Sequence, residues 1–238
     1  MSRRFLWPVT AALAVATCTA AFAQGDEARE LSDLRERVAA ARSAADAAPD
    51  DIGAAVVLAD ALSGQADWLK NAGNPGWVEV ADAALDAARE AHELRPSDTS
   101  TLLAMARALA VRGSLKKALA YADEAIDIEP ANAGAYMVKG DIHAAAAKAA
   151  ADSKWKLGRI TRNRVKRAAE DAVAAYEHVL VASKDSEAHA AALIRAGTVR
   201  LELLKDKEGA DRAWRGAVRA APNSDAAEEA KDLIGSIE

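Results

Sequence analysis

A chain of 238 residues, 51% of them apolar, can bury a core in one elongated domain or two small ones, although only 4% are aromatic and alanine carries much of the apolar share. Alanine is the best helix former and lets helix axes approach closely, and no run rich in Val, Ile, Thr and aromatics alternates with period two, which excludes a sheet. A net charge of −5 excludes bulk attraction for nucleic acid.

The first residues read as a targeting segment. Arg3 and Arg4 open it, an apolar stretch runs from about Val9 to Ala21, and Ala21-Phe22-Ala23 is a small-x-small cleavage signal before Gln24. The stretch is too short for a membrane-spanning helix and lacks a stop-transfer flank. Residues 1–23 are therefore expected to be a cleaved signal peptide and the protein to be exported to the periplasm. Losing Arg3 and Arg4 takes the net charge from −5 to −7. Two other export routes are written more weakly. Ser2-Arg3-Arg4-Phe5-Leu6-Trp7 loosely resembles a twin-arginine signal, and Val15-Ala16-Thr17-Cys18 resembles a lipoprotein box in which Thr before Cys is a poor match. Cys18 is the only cysteine, so cleavage after Ala23 leaves no disulfide, no thiol nucleophile and no cysteine metal site.

After the leader, a capping helix near 26–47 is expected within residues 24–50. Helix stops then recur at Ala48-Pro49-Asp50, Arg95-Pro96-Ser97, Glu129-Pro130-Ala131-Asn132 and Ala221-Pro222-Asn223-Ser224. Proline cannot continue a helix, and Ser, Asp or Asn just beyond it can cap the next one. Pro96 and Pro130 are 34 residues apart. Before each stop one spacing is kept: Ala118, Ala125, Pro130 are separated by 7 and 5, as are Ala84, Ala91, Pro96 and Ala210, Ala217, Pro222. Arg37, Ala44, Pro49 keep it with one substitution, and Ala172, Val179, Lys184 keep it without the proline. Residues seven apart share a helix face, so a neighbouring helix can approach there. Four residues after the first small site Tyr176 and Trp214 are large, whereas Ala88 and Ala122 are not.

In these features the chain resembles the tetratricopeptide repeat (TPR) family, whose period is 34 residues. The family's W-x2-L-G-x2-Y start reads as Leu102, Met105, Ala106, Leu109, with Gly113 at the hairpin turn. The next unit reads Tyr136, Lys139, Gly140, His143, and the last reads Ile194, Gly197, Thr198, Leu201. The resemblance implies an all-α fold, a right-handed superhelical solenoid of antiparallel helical hairpins. Its repeats would cover 51–224, as units 51–98, 99–132, 133–186 and 187–224, with a C-terminal capping helix in 225–238.

Two units exceed the period. The first excess falls around Ser63 to Val78 and contains the loop signal Gly73-Asn74-Pro75-Gly76. The second falls around Ala149 to Ala168, with only Gly158 as a breaker. It reads as a hairpin whose two helices both lengthen, so that one elongated arm projects from the stack.

No G-x-G-x-x-G, P-loop, G-x-S-x-G or H-E-x-x-H is present. His92, His143, His178 and His189 are scattered. The expectation is a protein that is not an enzyme and needs no cofactor. Two partner-binding surfaces stand out instead. The arm carries Lys154, Lys156, Arg159, Arg162, Arg164, Lys166 and Arg167 with no acidic residue among them, and Trp155 beside them. Such a cluster suits an acidic protein partner or anionic lipid headgroups, or simply a solvated face. The second surface is the groove that the family forms from the first helix of each hairpin. The matching positions are Leu103, Arg107, Met137, Asp141, Arg195, Val199 and Glu202, which suit a peptide. Trp68, Trp77 and Trp214 read as core plugs. The sequence thus suggests a non-enzymatic scaffold or adaptor of the cell envelope, binding a protein or peptide and no nucleic acid. The alternatives are a membrane-peripheral subunit, one lipid-anchored through Cys18, and a solute-binding accessory of a transporter.

Overall fold

The proline stops and their capping residues set the helix boundaries. The structure, a computed structural model, describes residues 9–152 and 158–237, with side chains from Ala28 onward. Among the described residues there are ten helices and no strand. They are α1 (Val9–Ala47), α2 (Ile52–Asn71), α3 (Trp77–Leu94), α4 (Thr99–Val111), α5 (Leu115–Ile128), α6 (Ala133–Asp152), α7 (Arg159–Ala182), α8 (Ser186–Glu202), α9 (Lys207–Ala220) and α10 (Asp225–Ile237). Beyond each stop a polar side chain takes up an orphan amide of the next helix. Asp51 accepts from Gly53 N at 2.8 Å, Asp98 from Ser100 N at 2.9 Å, Asn132 from Ala135 N at 3.2 Å and Ser224 from Ala227 N at 3.2 Å. The Ser100 hydroxyl also donates to Asp98, and this bond is the main reason that its carboxyl lies below the ordinary range.

Helices pair in sequence as α2–α3, α4–α5, α6–α7 and α8–α9, with α1 packed on α2 and α10 on α9 and α8. The first helices of the hairpins also touch one another, α2 on α4, α4 on α6 and α6 on α8. The second helices, α3, α5, α7 and α9, make no such contacts among the described residues. One row is therefore compact and the other splayed, which bends the stack and puts α2, α4, α6 and α8 on its inner side. The core is correspondingly strung out in three clusters, over α1–α6, α6–α8 and α8–α10.

The small residues at spacing seven are where close packing occurs. Ala84, Ala91, Ala118, Ala125, Ala172, Val179, Ala210 and Ala217 are all fully buried. Arg37 and Ala44 break the pattern, since both are exposed. α1 packs mainly on α2 among the described residues and buries Val38 and Ala41 instead.

Where the sequence offers an aromatic four residues after the small site, the facing helix offers glycine. A Cβ added to Gly140 would lie 2.4 Å from the Tyr176 ring, and one added to Gly197 would lie 2.4 Å from Trp214 Nε1. In α4–α5 the corresponding residues are Ala106 and Ala122, both fully buried. This pairing moves the frame of the last unit by one residue, to Leu193, Ala196, Gly197, Arg200. Thr198, expected at the close-packed site, instead donates its hydroxyl to Ile194 O at 3.0 Å.

Both overlong units lengthen their helices: α2 and α3 have 20 and 18 residues, α6 and α7 have 20 and 24, against 13 and 14 for α4 and α5. The first excess is thus mostly helix, with a short turn at Ala72–Gly76. Trp214 is fully buried, as expected of a core plug, whereas Trp68 and Trp77 are half-buried. Lys70 Nζ lies 4.9 Å from the Trp77 ring centroid, so this tryptophan supports a cation at the hairpin end. Gly64 sits in α2, exposed, with nothing within 4 Å of an added Cβ. Gly64→Ala should therefore raise stability by roughly 0.5–1 kcal/mol, because alanine restricts the unfolded chain and favours helix. A urea midpoint that does not rise would count against this assignment of α2.

Candidate interaction site

The inner row presents a line of charged side chains because α2, α4, α6 and α8 turn polar positions, one on α2 and α4 and two on α6 and α8, toward a neighbouring helix of the row. Arg107 on α4 reaches Asp60 on α2, Nη1 to Oδ2, at 2.7 Å. Arg195 on α8 grips both carboxylate oxygens of Asp141 on α6. Tyr176 on α7 donates its hydroxyl to the same carboxylate at 2.8 Å. Lys148 on α6 lies 3.9 Å from Glu202 on α8. Burial, and then the neighbouring Asp141 carboxylate, push the Tyr176 phenol far above its ordinary pKa, so it keeps its proton and donates. Burial disfavours the Arg195 charge, but Asp141 outweighs that and raises its pKa. The Arg195 and Asp141 side chains are 48% and 45% exposed, so the pair contributes on the order of 1 kcal/mol at most and can be exchanged for a partner's groups.

Of the expected groove residues, Arg107, Asp141, Arg195 and Glu202 are on this line. Met137 is half-buried against the α6–α8 core. Leu103 and Val199 differ from the other expected groove residues: both are buried, packed in the cores of α1–α6 and α6–α8, with little surface left to offer. Alternation along one helix does not reveal which apolar positions the next repeat covers. Asp60, Lys148 and Tyr176 are not legible in the sequence as groove residues. Their signal lies in long-range pairing, 47 residues between Arg107 and Asp60 and 54 between Arg195 and Asp141.

Of the basic arm, Lys154, Trp155 and Lys156 lie outside the described residues. Arg159, Arg162, Arg164, Lys166 and Arg167 are exposed on α7. Lys166 Nζ is 3.7 Å from Glu170, and the other four have no ion pair among the described residues. The α7 helix divides them between faces: Arg162 and Lys166 turn toward the end of α8, while Arg164 and Arg167 do not. The end of α8 bears Arg200, Leu203 and Leu204, which no sequence motif marks. With α7 they border a cavity of about 980 Å³.

The histidines are dispersed. His92 meets Tyr121 edge-on at 5.5 Å, and His178 stacks on Tyr136 at 5.2 Å. His189 is 2.8 Å from Ser183 O. His143 is half-buried, and burial lowers its pKa. No group of three or more His, Cys, Asp or Glu able to hold a metal ion occurs among the described residues.

No protein-family model matches the sequence, and neither does any curated protein. Solved structures do match. TTC0263, a thermophilic TPR protein in Thermus thermophilus, is 19% identical over 75% of this chain and 80% of its own, with a TM-score of 0.52. MamA is 15% identical over 82% of this chain and 87% of its own, with a TM-score of 0.46. The stacked hairpins, the small residues at spacing seven and the likeness to TTC0263 make this chain an all-α solenoid of the tetratricopeptide-repeat type.

Proposed function

We propose that this chain is a non-enzymatic scaffold that holds a protein partner in the bacterial cell envelope. The observation that carries the reading is the inner line of half-exposed, exchangeable ion pairs, Asp60–Arg107 and Asp141–Arg195, running across successive repeats. A segment laid along it can trade its own charges for these at little net cost, because each pair is solvent-screened already. The exported location rests on Arg3, Arg4, the apolar stretch and Ala21-Phe22-Ala23. Among the described residues no helix is long and apolar enough to cross a membrane.

The test is a cross-linked pull-down from envelope extract with the full chain expressed in its export-competent form, alongside Arg107→Glu/Arg195→Glu. The unaltered chain should capture a defined protein, the variant markedly less, and the recovered bait should begin at Gln24 by mass spectrometry. Capture of nothing would remove the scaffold reading. A bait starting at Met1, or one acylated at Cys18, would overturn the proposed export route.

A further inference from the structure

Each of the two long hairpins overhangs the shorter hairpin that follows it in the chain. At the first, α2–α3 overhang the end of α4, and the step closes on itself. Lys70 Nζ donates to Val111 O at 2.8 Å, and Arg112 Nε meets Asp82 at 2.7 Å. At the second, α7 runs past the end of α8, leaving the 980 Å³ notch. Here no lysine among the described residues caps the shorter helix. The floor is apolar, made by Leu203 and Leu204 after α8 and by Val165 and Val173 on α7. Val165, Leu203 and Leu204 are half-buried. A helix of the same length as α7 would cover them, and α8 is 17 residues against 24.

Charge is arranged unevenly around this floor. On the inner wall one guanidinium, Arg200, faces two carboxylates, Glu177 at 2.7 Å and Asp206 at 3.5 Å, so that wall stays acidic and the positive charge of the notch lies on its outer lip. On the outer lip Arg162 has no ion pair among the described residues, and Lys166 has only the loose contact to Glu170. The lip belongs to a stretch, 159–167, with five basic and no acidic residues in a chain whose net charge is −5. An apolar floor under a cationic lip is complementary to an acidic helix with an apolar face.

We propose that the notch binds an acidic amphipathic helix of a partner protein, its apolar side chains on Leu203, Leu204 and Val165 and its carboxylates on Arg162 and Lys166. This rests on the scaffold reading and assigns it a second contact, apart from the inner line.

The test uses a labelled, helix-forming peptide of about 18 residues with Leu at i, i+4 and i+7 and Glu elsewhere, and a twin with Lys for Glu. Binding to the full chain is followed by fluorescence anisotropy. The Glu peptide should bind, weaken with added salt, and outcompete the Lys peptide. Arg162→Glu/Lys166→Glu and Leu204→Asp should each weaken it by about tenfold. Arg164→Glu/Arg167→Glu changes the net charge equally on the other side of α7 and should change binding by less than about twofold. Circular dichroism checks that each variant remains folded. Equal losses in the two double variants, or no binding of the Glu peptide, would sink the proposal. So would displacement of the peptide by phosphatidylglycerol vesicles that bind through the same two cations, which would make the notch a lipid contact. If the envelope pull-down still captures a protein while the notch stays silent, the scaffold stands and the notch alone falls.

Discussion

Replacing Trp214 with alanine should cost about 3–5 kcal/mol and unfold the C-terminal end of the solenoid before the rest. The side chain is fully buried in the α8–α10 cluster, and its Nε1 donates to Ile194 O at 3.2 Å. Its removal leaves a large cavity and takes away one of the two side-chain donors to Ile194 O, Thr198 being the other. Because each hairpin touches only its neighbours, the loss stays local: amide exchange in α8, α9 and α10 should accelerate while α4 and α5 stay protected. Gly197→Ala alone should cost about 1–3 kcal/mol, since its Cβ would sit 2.4 Å from Trp214 Nε1. In the Trp214→Ala background the same change should be nearly neutral, because the clashing ring has gone. Urea unfolding of the four-protein cycle reads this coupling directly. Additive costs would mean that the glycine is not there to admit the indole.

Gly140→Ala should be the second damaging change, by about 1–3 kcal/mol, although alanine is ordinarily the better helix residue. Its Cβ would meet three Tyr176 ring atoms at 2.4, 2.6 and 2.9 Å. The ring cannot swing aside freely, because it is buried in the α6–α8 core and its hydroxyl donates to Asp141. The cost should fall when Tyr176→Leu is added, and Gly64→Ala should move stability the opposite way. A neutral Gly140→Ala would show that the Tyr176–Asp141–Arg195 group yields, and so does not fix the register of α6 on α7.

How much of the fold is legible before folding is clear from particular residues. The spacing Ala118–Ala125, repeated at Ala84–Ala91, Ala172–Val179 and Ala210–Ala217, announces the close-packed face, and all eight residues are buried. The same spacing at Arg37 and Ala44 misleads, because burial there depends on how many helices surround α1, which local pattern does not encode. The frame Ile194, Gly197, Thr198, Leu201 is one residue out. Only the aromatic partner across the hairpin shows which position has to be the small one.

Local pattern suffices for the helices, their stops and caps, the small packing face and the excess length of two hairpins. Each of these depends on residues within one or two turns of each other, where backbone propensity and side-chain volume are enough. Packing of hairpin on hairpin is needed to make Leu103 and Val199 core, to bring Arg107 to Asp60 and Arg195 to Asp141, and to set Arg162 and Lys166, rather than Arg164 and Arg167, beside an apolar step. Those outcomes depend on how one hairpin is rotated and shifted against the next, a quantity summed over many weak contacts rather than written at any single position.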